Sequence, residues 1–128
     1  MSKFVEEMRC QPNFYAEKGV SMIQIEQAEE VLEVKFAPDF RECLQEFGAF
    51  SIGSHELTGF SMDENLDVVK ITQKYREKHN VGKNLYVIEE AHIDGIVVWQ
   101  DSDGYIYQTD LYSKPEKIAN SLKEYIYM

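Results

Sequence analysis

The side chains of this chain best suited to metal binding or nucleophilic catalysis are three histidines, His55, His79 and His92, and two cysteines, Cys10 and Cys43. The histidines share none of the short spacings by which a helix or turn presents metal ligands together, so surface or loop positions are expected for them. The cysteines lie far apart, form no CxxC pair and have no local signature of a thiol activated by a neighbouring base. Asp101-Ser102-Asp103-Gly104 opens like a calcium loop, yet such a loop needs a bidentate Glu at its twelfth position, where this chain has Tyr112. A hairpin turn is the expectation there instead. Glu89 and Glu90 end a strand-like run, with nothing nearby in sequence to tune either for proton transfer. GxSxG, HExxH, P-loop and GxGxxG patterns do not occur. The sequence therefore predicts no catalytic residue, no metal site and no cofactor, and a protein that works by binding and not by reaction.

The elements that would position a binding surface can be read from periodicity. A short helix is expected at 3–10. Ser21 and Gln24 have capping-box spacing, and Ile25, Ala28 and Leu32 form one stripe, which predicts a helix over 22–34. Pro38, with Asp39 and Glu42 near the positive end of the dipole, opens a second helix over 38–47. Its stripe is Phe40, Cys43, Leu44 and Phe47, which makes Cys43 a core thiol, and Gly48 is the expected left-handed stop. Residues 50–60 suggest a short strand pair. A helix over 66–78 follows, with Asn65 as cap and Val68, Ile71 and Tyr75 on one face. LYVIEE, GIVVWQ and YIYQTDLY then read as a meander over 85–112, turned at Asp94-Gly95 and Asp103-Gly104. Ser113 and Glu116 repeat the capping-box spacing, and Ile118, Leu122, Tyr125 and Ile126 predict a closing helix to about 127. The expected class is α+β: one antiparallel meander flanked by about four to five helices, in a single domain over 1–128.

With 128 residues, 44% of them apolar and 16 aromatic (7 Phe, 8 Tyr, 1 Trp), the chain can build one core without disulfides or metal. Its net charge of −10 disfavours nucleic acid and anionic membranes and favours a basic protein partner. The acids concentrate at the two ends: residues 1–47 carry 5 bases and 10 acids, 48–84 carry 5 and 5, and 85–128 carry 3 and 8. The N-terminus lacks the apolar segment of a secretory signal, and no run is long enough to span a bilayer, so a cytoplasmic protein is expected. In the meander, Tyr105, Tyr107 and Thr109 share one face, while Val97 and Trp99 alternate with Ile96 and Val98. Trp99, Tyr105 and Tyr107 beside Asp94, Asp101 and Asp103 form the predicted contact set, with aromatics as anchors and acids to steer a basic partner.

From about residue 20 to 127 the chain resembles the SUKH superfamily, which includes bacterial immunity proteins and fungal cell-wall-synthesis regulators. IQIEQAEEVLEVKFAPDFRECLQEFGAF resembles the family's opening helix, Pro-Asp helix start and Phe-Gly ending. SHELTGF is similar to its short strand with Glu56 and Gly59, and DGIVVWQDSDGYIYQTD to its Asp-Gly, Asp, Asp-Gly meander. KPEKIANSLKEYI resembles the terminal helix. Ala37 before Pro38 departs from the Leu-Pro more usual there. The resemblance implies an α+β fold and, for bacterial members, inhibition of a cognate toxin, often a nuclease, by direct contact. It adds Glu56 to the contact set. Fungal members imply the alternative of a non-enzymatic regulatory scaffold.

Overall fold

The computed structural model describes residues 3–128, and the chain order begins α1 (Lys3–Arg9), β1 (Phe14–Lys18), α2 (Met22–Leu32), α3 (Pro38–Glu46), β2 (Phe47–Ile52) and β3 (His55–Leu57). It continues α4 (Val68–His79), β4 (Tyr86–Glu90), β5 (Val97–Gln100), β6 (Ile106–Thr109), β7 (Glu116–Ala119) and α5 (Leu122–Ile126). Two antiparallel sheets result, β1-β2-β3 and β4-β5-β6-β7. The Thr58 N–H links them by donating to Ile88 O at 2.9 Å, and its hydroxyl donates to Val87 O at 2.8 Å. The α+β class is as the sequence predicts.

The capping box at Ser21 and Gln24 forms, so the start of α2 is set locally, and Glu33 ends the helix in the left-handed region at φ 54°. Within α3, Phe40, Cys43 and Leu44 are buried as the stripe requires, and burial raises the Cys43 thiol pKa well above its ordinary value. Gly48 does not stop this helix. Phe47 already takes an extended conformation (φ −130°), and the chain runs directly into β2. Gly48 is needed for close packing: a Cβ there would stand 2.8 Å from Phe60 O and 2.9 Å from Glu17 Cβ.

Three further boundaries differ from the sequence reading. Strand β1 carries one half-buried residue, Phe14, and four exposed ones, so it shows no strong apolar alternation. Asp67, not Asn65, caps α4, accepting the Lys70 N–H. Glu116–Ala119 pairs with β6 as β7, and the cap of α5 is Ser121, which receives the Glu124 N–H. The closing helix is correspondingly short.

Sheet β4–β7 packs one face on the main core, and helix α4 covers the other face over β4 and β5. Tyr86, Ile88, Val98 and Ile106 join the main core with α2, α3 and α5, and Trp99, Val87 and Val97 pack with Ile71 of α4 in a second cluster. Among the described residues, no helix is long and apolar enough to cross a membrane.

Candidate partner-binding surface

The β5–β6 turn brings four of the predicted contact residues together. Asp101 Oδ1 accepts the backbone N–H of Asp103 and of Tyr105, each at 3.0 Å, and Oδ2 accepts the Tyr107 hydroxyl at 2.9 Å. Burial, then the Asp101 carboxylate, raises the Tyr107 pKa, so the phenol stays a donor. Asp103 is left exposed at the tip. Tyr105 is 38% exposed, and Lys117 Nζ of β7 lies 4.0 Å from its ring centroid.

This turn is fixed from below as well. Buried Gln100 donates from Nε2 to Gly104 O at 3.2 Å and to Asp39 Oδ1 at 3.0 Å. Its Oε1 accepts the Tyr86 hydroxyl at 2.6 Å, whose oxygen in turn accepts the Ala37 N–H at 2.9 Å. From the side, Ser102 donates to Lys35 O at 2.6 Å. Gly104 takes φ 96°, a conformation that glycine adopts without a side-chain clash. The Asp-Gly pair thus makes a hairpin turn, and both oxygens of Asp101 serve the turn itself. A chain held in this way loses little further freedom when a partner docks on it.

Trp99 is not part of that surface. It is fully buried, with Nε1 donating to Thr109 Oγ1 at 2.8 Å. It does share a face with Tyr107, its register partner on β6. Helix α4 covers that face over β5, whereas Tyr107 on β6 stays half-buried.

The other two predicted residues lie apart from the turn and from each other. Asp94 precedes β5, at the opposite end of the strand from Asp101, in a β4–β5 connection where His92, Asp94 and Gly95 all have positive φ. Leu111 packs over Gly95, so this turn meets the β6–β7 loop, and both Ile93, next to Asp94, and Leu111 are exposed. Glu56 stands on the outer face of β3, opposite Ser51, which pairs in turn with Tyr15 of β1.

Two constellations have no sequence signal because their members are distant along the chain. Buried Glu89 accepts His55 Nδ1 at 2.9 Å and the Glu56 N–H at 2.7 Å, and it also accepts the Tyr125 hydroxyl. The hydrogen bond to Glu89 raises the His55 pKa, while burial and Glu89 raise that of Tyr125. His79 Nδ1 meets Thr109 Oγ1 at 2.9 Å, and burial lowers its pKa. Both histidines, expected in surface or loop positions, are instead tied into the packing. Among the described residues, no three His, Cys, Asp or Glu side chains are grouped to hold a metal ion.

A family model described as SMI1-KNR4 cell-wall, of the SUKH group, matches residues 1–128. No curated protein matches the chain.

Proposed function

We propose, since this chain belongs to the SMI1-KNR4 family of the SUKH superfamily, that it is an immunity protein which binds and inhibits a cognate toxin, a basic nuclease. It acts in the cytoplasm by occlusion, with no reaction or cofactor of its own. The observation that carries this reading is the β5–β6 turn, where Asp101 spends its oxygens fixing the loop and leaves Asp103 and Tyr105 presented outward. A nuclease must be basic where it holds phosphates, and an acidic, preorganised partner competes for that same surface. The net charge of −10 speeds such an encounter.

Asp103 is the clean probe of this interface, because Asp103→Lys alters the exposed tip without removing any bond that shapes the turn. Asp101→Lys would also unfasten the turn. The test is a nuclease assay with the basic C-terminal domain of a large protein whose gene adjoins this one. Stoichiometric inhibition by the wild type, weakened in Asp103→Lys, supports the reading. An active nuclease untouched by the wild type overturns it. The regulatory-scaffold reading is favoured by the cell-wall description of the matched family. It would be marked by capture of a housekeeping protein and by no toxin gene alongside.

A further inference from the structure

Strand β1 is the edge of its sheet, and Tyr15 through Lys18 are exposed. Such an edge offers a row of backbone donors and acceptors to any added strand. Beside it, on the outer face, lies a groove of about 210 Å³. Its floor includes the small residues Ala49 and Ser51. Tyr15 and Glu17 wall it on one side and Glu56 and Leu66 on the other.

We propose that this groove takes an arginine or lysine side chain from an extended basic segment of the partner, which pairs its backbone with the free edge of β1. The inference rests on the partner-binding reading above and names a second contact for it. Three features fix the occupant. The groove is smaller than the roughly 300–1,000 Å³ typical of metabolite pockets, so it suits one long side chain. Ala49 and Leu66 would cover an aliphatic stem, and Tyr15, 75% exposed, offers its ring to a guanidinium. Glu17 and Glu56 place carboxylates where the charged head would emerge. A second copy of this chain is a poor occupant, because it would bring net charge −10 against acidic walls.

The test uses the full chain, labelled with ¹⁵N, and blocked peptides of alternating Val and Arg or alternating Val and Glu. The Val-Arg peptide should shift amides of Phe14–Lys18, Ser51 and Glu56, and the Val-Glu peptide should not. The double substitution Glu17→Lys with Glu56→Lys should weaken binding at least tenfold while leaving the rest of the spectrum in place. Tyr15→Ala should weaken it without any change of charge. Shifts centred on Asp101–Tyr107 with β1 silent would remove the groove while leaving the partner-binding reading standing. Equal binding of both peptides, or none at millimolar concentration, would also overturn the groove, and the nuclease assay would judge the broader reading separately.

Discussion

Glu89 Oε1 lies 2.9 Å from His55 Nδ1, so a buried carboxylate on β4 holds the imidazole at the start of β3. The sign of its pH dependence follows from the raised His55 pKa. Protonated His55 stabilises the fold fully below the unfolded histidine value of about 6.5, and this contribution is lost as pH rises through the higher folded value. His79 acts in the opposite sense: its folded pKa is lowered, so stability falls as pH drops below about 6.5. The variant His55→Gln should therefore lose stability more steeply on acidification than the wild type. Urea midpoints between about pH 5 and 8 read this, and an unchanged profile would count against the pair. Glu89→Gln should lower stability by about 2 kcal/mol at neutral pH, because three donors lose a charged acceptor.

Gln100 links the buried Tyr86 hydroxyl to the β5–β6 turn at Gly104. Replacing Gln100 by Ala strands the Tyr86 hydroxyl in the core and frees the turn, costing about 2–3 kcal/mol. The turn amides of Asp103 and Tyr105 should then exchange faster with solvent. Unchanged exchange would mean that Asp101 and Ser102 hold the turn without Gln100.

Gly53 and Gly59 separate two effects of an added methyl group. At Gly59 a Cβ would meet Gly48 backbone atoms at 2.4 Å, whereas at Gly53 nothing lies within 4 Å and the strain is only that of φ +59°. Gly59→Ala should therefore cost about 3 kcal/mol and Gly53→Ala about 1 kcal/mol. Thermal melts of the two variants would rank them, and the reverse order would contradict the packing of the 58–67 segment on β2.

Trp99 is the chain's one tryptophan, and it lies fully buried. Its emission should be blue-shifted and poorly quenched by iodide, with little change when a partner binds. Strong quenching in the free protein would return Trp99 to the surface.

Much of the fold is legible where the signal is local. The α2 cap, the α3 stripe and both Asp-Gly turns each depend on residues within about two helical turns of one another. Elements decided by tertiary contact are not legible in this way. Strand β1 offers only FYAEK, and Ser113 with Glu116 has the spacing of a cap although the chain there pairs with β6. For the site, the sequence places Asp101, Asp103, Tyr105 and Tyr107 near one another because a hairpin joins them. It could not show that α4 covers Trp99, whereas the two Asp-Gly turns already put Asp94 and Asp101 at opposite ends of the GIVVWQ strand. The Glu89 cluster spans 34 residues to His55 and 36 to Tyr125, and only the folded chain assembles it.

The most direct measurement is a calorimetric titration of this protein with the purified C-terminal domain encoded beside it, at low and moderate salt, for wild type and Asp103→Lys. Tight one-to-one binding is expected, weakening with salt and weakening further in the variant. No binding at either salt would contradict it, as would binding indifferent to both salt and the substitution.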